Sequence, residues 1–175
     1  MTLAVLEQPL TTTNGRPERV AARMEFRRMD HTNSEHRLLM CTVADRIPAF
    51  LTRLGSDNPA ELIQRFIHSH WLMGSPTFAI WAALSPLGRV IGHVIAQIEV
   101  AWGVPYVMIL QVEIDSPYTT TGAQRRALLA EMDDWAKTQG ATKMKTLTPR
   151  NVAVYPRHCG FHVDKVLMVR TVGQP

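Results

Sequence analysis

The sequence predicts an α+β fold: a mixed, mostly antiparallel sheet with helices on both faces. Three observations predict it. The β-type runs Thr77–Leu84, Val90–Val100 and Tyr106–Ile114 are separated only by short turns, the signature of an antiparallel meander. Two stretches of helical periodicity precede the meander. A third helix follows it and leads into further short strands, giving the order β, α, α, β, β, β, α, β, α, β.

Taken from the N-terminus, residues 1–22 read as an arm. They carry Pro9, Pro17 and the run Thr11-Thr12-Thr13-Asn14-Gly15, with no sustained period. Residues 23–175 form the domain. Met24–Arg28 is a short first strand. From about Ser34, Leu38, Leu39, Thr42, Val43, Ile47, Phe50, Leu51 and Leu54 make an apolar stripe, which Pro48 is expected to kink or split. The second helix opens with Asn58 as cap, Pro59 at the first helical position and Glu61 behind them. Leu62, Ile63, Phe66, Ile67 and Trp71 are its buried face. His68 and His70, two apart, diverge by about 200° and cannot share a metal.

Ser85-Pro86-Leu87-Gly88 turns the first meander strand into the second, and Trp102-Gly103-Val104-Pro105 turns the second into the third. In that third strand Tyr106, Met108, Leu110, Val112 and Ile114 alternate with Val107, Ile109, Gln111 and Glu113. The first set is wholly apolar. The second starts apolar and ends polar, so it is expected to leave a wet patch at the C-terminal end of one sheet face. The helix near Ala123 carries Leu128, Leu129, Met132, Trp135 and Ala136 on one stripe, and Gly140 ends it in a left-handed cap. Lys143–Thr148 is a strand, Asn151–Cys159 a short helix interrupted by Pro156, and Val163–Val172 the last strand.

At 175 residues the chain is one domain with enough length for a core. No run approaches the ~20 apolar residues of a membrane-spanning helix, and the N-terminus lacks the order of a signal peptide. A cytosolic product is expected, or one assembled from the cytosol into a larger particle such as a virion. Cys41 and Cys159 are too few for a disulfide framework or zinc site, so no metal is expected and both thiols should be reduced and partly buried. The net charge is +4, and Lys143, Lys145, Arg150, Arg157, Lys165 and Arg170 concentrate in the C-terminal third. A basic third suits an anionic cofactor, an acidic partner or nucleic acid.

Strand, Thr/Gly turn and helix N-terminus form the layout that binds anions, because first-turn amides have no partner within the helix. This order of elements resembles that of the GNAT superfamily of acyl-CoA-dependent N-acyltransferases. Two local patterns carry the resemblance: Arg126-Ala127-Leu128-Leu129 running on through Trp135-Ala136 to Gly140-Ala141, and Asn151 through Gly160-Phe161. It covers about Met24 to Val172. It implies an opening beside the third meander strand into which acetyl-CoA inserts. By that resemblance Val112, Ile114, Thr120, Gly122, Ala123, Arg125, Arg126 and Asn151 would line the cofactor.

The departures are specific. The family's pyrophosphate loop, Arg/Gln-x-x-Gly-x-Gly/Ala, falls on Thr120, Ala123 and Arg125. Shifting by one residue uses Gly122 but puts Gln124 in the second glycine's place. Glycine serves in such loops because a side chain keeps the backbone away from phosphate. The tyrosine that many members carry four residues before the Gly-Phe glycine is Pro156 here.

Acyl transfer to an amine needs a base and an oxyanion donor. Glu113 is the candidate base, with Glu99 expected across from it on the neighbouring strand and Tyr118 as a hydrogen-bond donor before the loop. His93 is expected to be half-buried. Two functions follow. One is a domain that keeps the scaffold without catalysis and serves as a structural or interaction part. It would bind protein partners or assemble with itself, for example in a bacteriophage virion, where domains resembling this family occur. The other is an acyl-CoA-dependent N-acetyltransferase acting on a small-molecule or protein amine.

Overall fold

The computed structural model describes residues 24–53, 60–115 and 118–146. The arm, the expected Asn58–Pro59 cap, Asn151, and the last helix and strand lie outside them.

Eight elements follow in order: β1 (Glu25–Arg28), α1 (Ser34–Arg53), α2 (Ala60–Leu72), β2 (Phe78–Leu84), β3 (Val90–Ala101), β4 (Val104–Ile114), α3 (Gly122–Thr138) and β5 (Met144–Thr146). The strands form one sheet in the order β1-β2-β3-β4-β5. The first four are mutually antiparallel and β5 joins β4 in parallel, as a helical crossover requires.

Each sheet face carries its own core. On one, Met40, Val43 and Ile47 of α1 and Ile67 and Trp71 of α2 pack on Phe78, Ile80, Ala82 and Ile95. On the other, Met132, Trp135 and Ala136 of α3 pack on Ala79, Trp81, Val94, Ala96, Val107 and Ile109. Trp135 anchors α3 twice, edge-on against Trp81 at 5.7 Å and by an Nε1–H bond of 3.2 Å to the Pro76 carbonyl. Gly140, at φ 71°, supplies the left-handed residue beyond the helix, a position an L side chain resists.

Pro48 does not split the first helical stretch into two; α1 runs through it from Ser34 to Arg53. A proline in a helix interior orphans the carbonyl four residues back. Here that carbonyl belongs to Ala44, and Gln64 of α2 donates its Nε2–H to it at 2.9 Å. Cys41 also departs from expectation, being exposed.

The larger correction concerns β4. The register with β3 pairs Ala96 with Ile109 and Ile95 with Gln111, so Leu110 is an extra residue, a β-bulge. A one-residue slip exchanges faces. Val107 and Ile109 therefore lie on the α3 face. Gln111 and Glu113, opposite Ile95 and His93, lie on the α1 face. The four do not share a face, and the polar pair is buried (5% and 7% exposed) rather than wet.

Candidate functional site

Glu113 sits under α1 near the C-terminal end of β4. His93, directly opposite on β3, is fully buried rather than half-buried, with Nδ1 3.7 Å from Glu113 Oε2. On the other side Arg46 of α1 brings Nη2 to 3.9 Å from Glu113 Oε1. Arg46 is held by Asp115, just beyond the strand, through Nη1–Oδ2 at 2.9 Å and a second, shorter contact between Nη2 and Oδ1. The hydrogen bonds to Asp115, joined by the charges of Asp115 and Glu113, raise the Arg46 pKa against the penalty of burial. The sequence reading missed Arg46. The available signal was its place on the stripe of α1, three residues after Val43 and seven after Leu39.

Glu99 does not lie across from Glu113. It opposes Tyr106, six residues further along β3 than His93, or about 20 Å. Its carboxylate accepts the Tyr106 hydroxyl at 2.5 Å. The expected pair is replaced by a Glu113–Arg46–Asp115 chain with His93 beside it. Tyr118 follows Asp115, donating its amide to the Asp115 carbonyl at 2.8 Å, and packs beside Met24, Ala83 and Ile91. With Arg46, Arg89 and Asp115 it lines a cleft of about 610 Å³.

At the start of α3 the sequence builds a capping box. The Thr121 hydroxyl accepts the Gln124 amide at 3.2 Å, and the Gln124 side-chain oxygen accepts the Thr121 amide at 2.7 Å. Gln124 Nε2 also donates to the Met24 carbonyl at 2.8 Å, tying the helix start to β1. The helix's own geometry provides no acceptor for the Gly122 and Ala123 amides. No acidic residue stands in the first turn.

The arginines are turned towards this loop. Arg125 Nη1 donates to the Thr120 carbonyl at 2.9 Å and to its hydroxyl at 3.1 Å. Arg126 lies over Gly122, its Nη1 only 3.3 Å from where a Cβ on that glycine would sit. The residues that the resemblance assigns to the cofactor's phosphates thus cluster at one helix terminus. Val112 and Ile114 lie on the α3 face of β4, opposite Val94 and Gly92, with Val112 42% exposed. Described pairing between β4 and β5 ends at Ile109–Thr146, one residue before the bulge. Among the described residues no cluster of His, Cys, Asp and Glu is arranged to hold a metal, and no helix is long and apolar enough to cross a membrane.

No protein-family model matches the chain, and no curated protein matches it. Solved structures do. One described as a probable acetyltransferase superposes with a TM-score of 0.61 at 15% identity, covering 86% of this chain and 98% of that one. A possible acetyltransferase from Clostridium difficile 630 gives 0.58 at 12% identity, covering 86% and 99%. Glucosamine-6-phosphate N-acetyltransferase from Arabidopsis thaliana gives 0.56 at 15% identity, covering 85% and 98%. Identities this low speak to architecture alone. Meander, parallel fifth strand, α3 crossover and these superpositions agree: the chain has the fold of the GNAT acetyltransferases.

Proposed function

We propose that this chain uses the acyltransferase scaffold for binding rather than for acyl transfer, and serves as an interaction part of a larger assembly, of which a phage particle is one example. The observation that carries the reading is Arg125. Where the family's loop has a glycine, this chain has a guanidinium folded back onto Thr120, with a second guanidinium over Gly122. Side chains then stand where a diphosphate would approach the backbone. The candidate base supports the same reading. Glu113 is buried between Arg46 and His93, with one carboxylate oxygen turned to each of them rather than to an open site.

Calorimetric titration with acetyl-CoA tests the proposal. No saturable heat is expected up to millimolar ligand. Saturable binding in the micromolar range would overturn it.

One observation favours a second reading, an N-acetyltransferase acting on a small-molecule or protein amine. Two arginines and two amides without intrahelical acceptors converge on one helix start with no acid in its first turn, which attracts phosphate as well as it blocks it. On that reading acetyl-CoA binds, and Glu113→Gln lowers turnover by about 100-fold as a general base is lost.

A further inference from the structure

This chain presents two apolar surfaces of opposite shape, one convex and one concave. The convex one is the tip of the β3–β4 hairpin. β2 begins at Phe78, opposite Gln97, and on that edge the Ile98 amide is met by the Thr77 carbonyl. β3 and β4 pair on to Ala101 and Val104, so the tip projects roughly 10 Å past β2. Trp102 and Gly103 close it with φ of 55° and 77°. A two-residue loop with both φ positive is built for Asn-Gly, and a bulky side chain there is strained. Trp102 nevertheless occupies it with its indole entirely in solvent, flanked by Val100 at 67% exposure and Val104 at 54%. The strained turn holds the largest apolar side chain outward.

The concave surface is a groove of about 980 Å³ along β1, between α1 and the N-terminal half of α3. Leu38, Leu39, Leu84 and Leu128 line it. Leu38, 74% exposed, stands in its wall, and Leu87, 63% exposed, lies between the lining residues Pro86 and Gly88. Charges differ in sign at the two places. Glu35 and Glu131 line the groove without an ion pair among the described residues, while Arg27 is engaged by Glu25. Beside the hairpin, exposed Lys143 accepts the Val107 amide on its carbonyl, and Lys145 lies 3.8 Å over the Tyr106 ring.

We infer that Trp102 of one copy of this chain docks in the β1 groove of a second copy, with Lys143 of the first facing Glu35 and Glu131 of the second. Tip and groove are different patches, so the contact is heterologous and propagates head to tail. An indole and two valines fall short of the ~800 Å² per partner of a stable interface, so the association is weak and concentration-dependent. The contact stands apart from the α3 loop; a chain that binds acetyl-CoA would carry it equally.

Sedimentation velocity from micromolar to millimolar protein tests it, with tryptophan emission read on the same samples. Trp71, Trp81 and Trp135 are buried, so the solvent-like emission belongs to Trp102. Average mass should rise with concentration while that emission shifts to the blue. Trp102→Ser and Leu38→Lys should each abolish the rise with melting temperature unchanged. Mixing them should restore association, but only to pairs, since one retains the groove and the other the tip. A constant mass at millimolar protein would overturn the inference. So would a rise that Trp102→Ser leaves intact, or a silent mixture. A blue shift independent of concentration would assign the groove to the chain's own residues, and one seen only with anionic lipid vesicles would assign the tip to a membrane surface. Either would overturn it too.

Discussion

Arg46 reaches from α1 to a carboxylate that is 7% exposed and to a second one at the strand's end. Losing its charge would leave Glu113 and Asp115 close together under a helix. Breaking a wholly buried pair costs about 3–5 kcal/mol. Asp115 is 39% exposed, so water recovers part of that. Arg46→Leu is therefore expected to destabilise by about 2–3 kcal/mol, read as a lowered urea midpoint. Asp115→Asn should cost less. An unmoved midpoint for Arg46→Leu would show that the cluster contributes nothing. Tyr106 offers a test by pH. Its hydrogen bond to Glu99, followed by burial and the carboxylate's charge, raises its pKa above 10.0. The phenol is the form that donates. Its contribution is full below pH 10 and is lost as pH rises through the folded-state value. Ultraviolet titration should find this tyrosine ionising above 10, and Glu99→Ala should bring it back; a midpoint unmoved by that substitution would refute the assignment.

The helices and strands themselves were largely legible. Thr77–Leu84, Val90–Val100 and Tyr106–Ile114 became β2, β3 and β4 within a few residues, because alternation and turn chemistry act locally. The split expected at Pro48 fails for a related reason. The penalty is local, but the group that relieves it, Gln64, comes from the next helix. Gln64→Ala should therefore destabilise by about 1–3 kcal/mol, the cost of an unsatisfied buried carbonyl. Pro48→Ala restores an N–H to Ala44, so in its background Gln64→Ala should cost much less. Urea unfolding of the four proteins closes the cycle, and additivity would mean that Gln64 does not serve this carbonyl. The Leu110 bulge left no trace in the sequence. The apolar run Tyr106–Leu110 fits either face, and only the register against β3 discloses the extra residue.

For the molecule as a whole, ligand linkage separates the two functional readings. A ligand at 100 times its Kd adds about 2.7 kcal/mol to stability. If α3 does not take the cofactor, the melting temperature should stay put in millimolar acetyl-CoA; an upward shift that saturates would reverse the reading. The sequence by itself determined the order and kind of the described elements and the departures in the loop before α3, because each rests on neighbours in the chain. Tertiary structure alone decided that Glu113 turns inward to Arg46 and His93, that Glu99 is spent on Tyr106, and that Trp102 stands at a projecting tip. Those depend on pairing register and helix docking, which bring together residues that no local pattern connects.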